Sequence, residues 1–108
     1  MTDEGGPADA ALRALGELIG SGGWRQQPSP PGVLVVLLPW PDGTVDTLAV
    51  RGVTQALAER TNPAGHPVWR EVGMVVEVIA HVRALLAPDD PDAPRQAIGR
   101  DGHDRWTP

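Results

Sequence analysis

The stretch VLVVLLPWPDGTVDTLAVR, residues 33–51, decides the fold, because it joins two apolar segments through one tight turn. Pro41 fixes the φ angle required at the second position of a type I turn. Gly43 can adopt the left-handed conformation that completes a three-residue hairpin loop. The stretch therefore predicts a β-hairpin with strands at residues 33–39 and 44–51.

The hairpin register distributes the side chains of the first strand unequally between its two faces. With Trp40 opposite Thr44, one face is a core face that carries Leu34, Val36, Leu38, Leu48 and Val50. The other face of the first strand is also apolar, with Val33, Val35 and Leu37. A strand that is apolar on both faces is typical of a sheet covered on both sides. An isolated two-stranded hairpin is only marginally stable. Either residues 24–27 therefore add a third strand, or a second subunit covers the second apolar face or the edge of the hairpin. We favour a homodimer.

Helices are predicted on both sides of this hairpin. Residues 7–19 combine proline at the first helical position with alanine and leucine on one stripe. Residues 53–60 predict a short helix that ends before Pro63, since the residue preceding a proline avoids helical angles. Residues 68–87 carry apolar side chains at alternating spacings of four and three, which predicts a long helix. Within it, the valine-rich residues 74–79 are also compatible with a strand.

The predicted fold class is α+β, a small two-layer domain of order α-(β)-β-β-α-α at residues 7–87. In it, the central hairpin packs against the three helices. Residues 1–6 lack large apolar side chains apart from the initiator methionine, and residues 88–108 are rich in proline, aspartate and glycine. Such composition cannot offset the entropy lost on ordering. We therefore expect a disordered N-terminus and a disordered, acidic, proline-rich C-terminal tail.

The composition excludes several classes of site. All nine basic residues are arginine, and the chain has neither lysine nor cysteine, which is typical of a high-GC bacterial genome. Schiff-base chemistry, thiol nucleophiles and thiolate metal sites are thereby excluded. Six arginines balance seven acidic residues in residues 7–87, so we expect no nucleic-acid partner. No leader segment or membrane span is apparent, so we expect a cytoplasmic protein that binds no membrane.

Few residues suggest catalysis or metal binding. Glu77 and His81 are four apart and share one face of the predicted helix, as two metal ligands or a base with its orienting carboxylate would. His66 is the candidate third ligand. The alternative is an ordinary Glu–His pair on a solvated helix face. The two serines, in GSGG and PSPP, lack the context of a nucleophile, so we predict no catalytic residue and no cofactor.

Tryptophans mark candidate contact points. Trp40 lies at the hairpin tip and Trp69 near the start of the long predicted helix; tryptophan is enriched at interface hot spots. Trp40 can alternatively pack on the loop at residues 62–69. Together with Val33, Val35 and Leu37, the two tryptophans form our predicted interface.

These observations favour a non-enzymatic protein–protein interaction module, a homodimeric small adaptor, accessory or immunity-type protein. Its expected partners are a second copy of itself and an unidentified protein. The alternative is a small-molecule- or metal-binding domain with a site near Glu77 and His81.

Overall fold

The computed structural model describes residues 6–98 of the 108-residue chain and confirms the α+β class. It contains a five-stranded antiparallel sheet whose strands neighbour one another in chain order. The elements are α1 (Pro7–Gly20), β1 (Arg25–Gln27), β2 (Leu34–Pro39), β3 (Val45–Gly52), β4 (Gln55–Thr61), β5 (Pro67–Gly73) and α2 (Val75–Ala84). In the described part of the chain, neither helix has the length and apolar character needed to cross a bilayer.

The predicted hairpin is confirmed as β2 and β3. Its register pairs Leu34 with Val50 and Val36 with Leu48, as the turn chemistry predicts. The Trp40 backbone N–H donates to the Thr44 carbonyl at 2.8 Å, closing the turn. Gly43 adopts a φ of +97°, a left-handed conformation in which a side chain would be strained.

The third strand that the sequence left open is present, and a further strand replaces a predicted helix. β1 pairs with β2 and forms one edge of the sheet. The prediction of a helix at residues 53–60 is wrong, because β4 occupies this stretch and pairs along β3. Its Ala56, Ala58 and Arg60 alternate toward the core, which is the two-residue period of a strand. Eight residues are too few for their pattern to distinguish a strand from a helix, so pairing with β3 decides.

The predicted helix at residues 68–87 is correct only in its second half. Its first part is the edge strand β5, which pairs with β4. β5 ends at Gly73, Met74 has extended backbone angles, and α2 begins at Val75. Residues 74–79 therefore belong to a helix from Val75 onward rather than to a strand. Valines at 68, 72 and 75 fit a helical spacing by coincidence, since the first two lie in β5.

Both helices pack on one face of the sheet, which we call the covered face. The sheet contributes Val36, Leu48, Ala56 and Ala58 to this core. The helices contribute Ala11, Leu15, Leu18, Val75, Val78, Ile79 and Val82. The order is thus α-β-β-β-β-β-α, with two helices on a single face instead of three around a hairpin.

The segment after α2 contacts the domain as far as residue 98. Ala93 is buried, and the Ile98 backbone N–H donates to the Pro67 carbonyl at 2.8 Å. The tail expected from residue 88 therefore contacts the domain over part of residues 88–98. Residues 1–5 and 99–108 lie outside the described residues, so the disorder predicted for them stays a prediction.

Candidate interaction surface

The face of the sheet opposite the helices carries an apolar row that crosses four strands. The register aligns Val35 with Ala49, Ala49 with Leu57 and Leu57 with Val72. Because side chains alternate along strands, all four point away from the covered face. We call this set the central row and the surface around it the open face. Val72 is 51% exposed, Val35 and Leu57 are half-buried, and Ala49 is buried among its neighbours.

A second row of the open face runs parallel to the central row and is mixed in character. Across the strands it consists of Arg25, Leu37, Thr47, Glu59 and Arg70, in that order. Glu59 and Arg70 form an ion pair, in which the arginine Nε donates to Oε2 at 3.0 Å. The pair neutralises one charge with another, and the same alternation also places Arg25 in β1 and Arg51 in β3 on the open face.

The structure separates the predicted interface residues onto two faces. Val35 and Leu37 belong to the open face, and Val33 precedes β2 on the same alternation. Trp40 and Trp69 lie on the covered side, where Trp69 packs against the core. The sequence did not indicate Leu57 and Val72 because both were assigned to helices. No local alternation marks them, because Leu57 lies between two alanines and Val72 lies between Glu71 and Gly73.

A buried polar cluster joins Trp40 to the covered face. Arg60 donates from Nε to Asp46 Oδ1 at 2.7 Å and from Nη2 to Oδ2 at 2.9 Å. Trp40 donates from Nε1 to the same Oδ2 at 2.9 Å, and the Arg60 guanidinium lies 5.5 Å from its ring centroid. The side chains of Arg60 and Asp46 are only 1% and 8% exposed. Trp40 is therefore held by internal partners rather than projecting from the hairpin tip.

The same arginine anchors the chain after α2. Arg60 Nη1 donates to the Leu86 carbonyl at 2.6 Å, which fixes the start of the C-terminal segment over the end of the sheet. Among the described residues, no buried side-chain nitrogen or oxygen lacks a hydrogen-bond partner. A buried ion pair with all its groups bonded is a structural element whose disruption is costly.

A hollow of about 250 Å³ lies beside this cluster. Its wall includes Asp42, Thr44 and Arg95 from the turn and the C-terminal segment. The Thr44 backbone N–H donates to Asp42 at 2.8 Å and holds the pKa of this carboxyl below its usual value. The Asp42 carboxylate therefore accepts a hydrogen bond within the turn itself.

The metal-site candidates do not come together. His81 Nδ1 lies 2.8 Å from Glu71 Oε2 in β5, and Glu77 is exposed one turn before His81 on α2. His66 lies in the exposed turn between β4 and β5. Within residues 6–98, no group of three or more histidine, aspartate or glutamate side chains is placed to hold a metal ion. Trp69 does line a shallow hollow of about 270 Å³ together with Glu71 and His81.

Comparison of the chain with models of protein families, with curated proteins and with solved structures found no match.

Proposed function

We propose that the protein is a cytoplasmic, non-enzymatic interaction module that forms a homodimer through its open face. The observation that carries this proposal is the central row, which crosses four strands on the side of the sheet away from both helices. An adaptor, accessory or immunity-type role, with the remaining surface left for a different protein, fits this arrangement.

The hydrophobic effect supplies the driving force. Burying apolar surface contributes about 25 cal/mol per Å², and the central row offers aliphatic side chains with no charged residue among them. Contiguous apolar surface of this kind marks interaction sites in small proteins. The sheet of a small domain also gains stability when a second layer covers its other face.

The size of the open face suits a second copy. With strands about 4.8 Å apart and residues rising about 3.3 Å, the five strands, which have 31 residues in total, present roughly 500 Å². Two such faces together bury about 1,000 Å², which is about the smallest area expected of a biological interface. We therefore expect a reversible dimer with a dissociation constant in the micromolar range.

The charge of the open face does not oppose self-association. Its anionic side chain, Glu59, is already paired with Arg70 in the same copy. Arg25 lies on the short edge strand β1, and Arg51 lies toward the end of β3, two residues beyond Ala49 of the central row. Two such faces therefore meet without a concentration of like charge at the middle of the contact.

Light scattering over a range of protein concentrations tests the proposal. We expect wild type to approach twice the monomer mass, and Leu57→Glu to stay monomeric because a carboxylate would be buried at the contact. The matched control is Leu12→Glu, which places the same charge at a leucine that is 67% exposed on α1. The control should dimerise as wild type does. A wild-type chain that remains monomeric, or a control that dissociates equally, would overturn the proposal.

A further inference from the structure

We infer that two copies pack sheet against sheet around a twofold axis that runs across the strands, along the central row. This inference rests on the proposed function and specifies how the second copy is placed. It follows from the order of side chains on the open face. In two possible dimers, this order brings very different side chains opposite each other.

A symmetric pair of sheets with nearly aligned strands has two simple choices of axis in the plane between them. In the first, the axis runs along β3, so that β1 of one copy lies over β5 of the other. In the second, the axis runs across the strands, so that each strand lies over its own counterpart. Both choices bury the central row, and they differ in what the second row meets.

An axis along β3 places the second row of one copy over the second row of the other, in reversed order. Arg25 of one copy then faces Arg70 of the other, which brings two cations together. Leu37 then faces Glu59, which sets an apolar side chain against a carboxylate. Like charges and unmatched polar groups facing one another across an interface act against association.

An axis along the central row removes both conflicts. Val35, Ala49, Leu57 and Val72 then each face their own counterparts, so the middle of the contact is entirely aliphatic. The second rows of the two copies lie on opposite sides of the axis, about 14 Å apart, since each is two residues away at about 3.4 Å per residue. Leu37 then lies toward Val33 of the other copy rather than toward a charge. With this axis, the open face of one copy is therefore complementary to the open face of the other.

The absence of cysteine from the chain allows a direct test. Two single variants, Val72→Cys and Thr47→Cys, are treated with a bismaleimide chosen to span roughly 10 Å, the usual spacing of packed sheets. With the inferred axis, the two Val72→Cys positions face each other, while the two Thr47→Cys positions are displaced by about 14 Å along the strands. With the axis along β3, Thr47→Cys faces itself. The two Val72→Cys positions are then about 19 Å apart across the sheet, because β5 is two strands from β3.

We expect rapid cross-linking of Val72→Cys to a covalent dimer and at least tenfold slower cross-linking of Thr47→Cys. Leu12→Cys on α1 controls for random collision and should remain uncross-linked. Rapid reaction of Thr47→Cys with little of Val72→Cys would overturn the inferred axis and leave a dimer through the open face standing. If neither variant cross-links while light scattering shows a dimer, the axis is again wrong. If light scattering shows only monomer, the proposed function itself has failed.

Discussion

The two faces of one sheet differ in what they bury, although the same strands supply both. On the covered face, Leu48 is fully buried and Arg60 is 1% exposed, each with internal partners. On the open face, Leu57 remains partly exposed and Val72 is 51% exposed, although both are as apolar as the core. Two helices suffice for one face only. Surplus apolar character in a strand therefore indicates a surface that this domain leaves uncovered.

The largest expected effect comes from the buried ion pair of the covered face. Arg60→Ala should lower the free energy of unfolding by about 3–5 kcal/mol, because it leaves Asp46 buried without its counter-ion. Urea denaturation measures the loss. Arg83→Ala is the matched control, since Arg83 is exposed and its pairing with Glu17 at 3.5 Å is a surface contact. We expect the control to lose less than about 1 kcal/mol.

A double variant separates the charge from the packing. Arg60→Met combined with Asp46→Leu removes both charges while keeping similar volume, and it should be more stable than Arg60→Ala alone. Equal losses in Arg60→Ala and Arg83→Ala would show that the covered face does not depend on this pair.

Two leucines on opposite faces give the next largest effect. Leu48→Ala should cost about 2–5 kcal/mol, because it opens a cavity in a closed core. Leu57→Ala should cost only about 1 kcal/mol in monomers, since part of that side chain is already in water. Denaturation must be followed at concentrations where light scattering shows monomer. Similar losses from both substitutions would contradict the distinction between a covered and an open face.

The smallest effect concerns the turn that leads into β3. Asp42→Ala removes the acceptor of the Thr44 N–H and should lower the midpoint of thermal unfolding slightly at neutral pH. Because the folded-state pKa of Asp42 is lowered from 3.8, its contribution is complete above that pH. The contribution is lost as the pH falls through the lowered value. Thermal melts between neutral and strongly acidic pH should therefore converge for variant and wild type. Divergence on acidification would be inconsistent with this role.

Local chemistry explains the parts of the fold that the sequence predicted correctly. The turn at residues 41–43 sets the register of β2 and β3 by itself. The apolar helical pattern in residues 7–19 is longer than any strand of this sheet, so it could not be confused with a strand. β4 and β5 were mistaken for helices because their stability comes from pairing with a distant neighbour. Such pairing is absent from the local pattern.

The candidate site was predictable only in part, for the same reason. Val35 and Leu37 followed from the hairpin register, whereas Leu57 and Val72 required knowledge of two further strands. Asp46 already stood on the core face of the predicted hairpin, where a charge requires a counter-ion. Identifying Arg60 as that partner needed the pairing of β3 with β4, which local periodicity does not contain.

A dilution series followed by methyl NMR tests the central claim most directly, because each face reports separately. From micromolar to millimolar protein, the methyl signals of Val35, Ala49, Leu57 and Val72 should shift with concentration. Those of Leu48 and Val78 in the covered core should stay constant. Constant open-face signals across the whole range, or concentration-dependent shifts concentrated on α1 instead, would contradict the claim that the open face joins two copies of this protein.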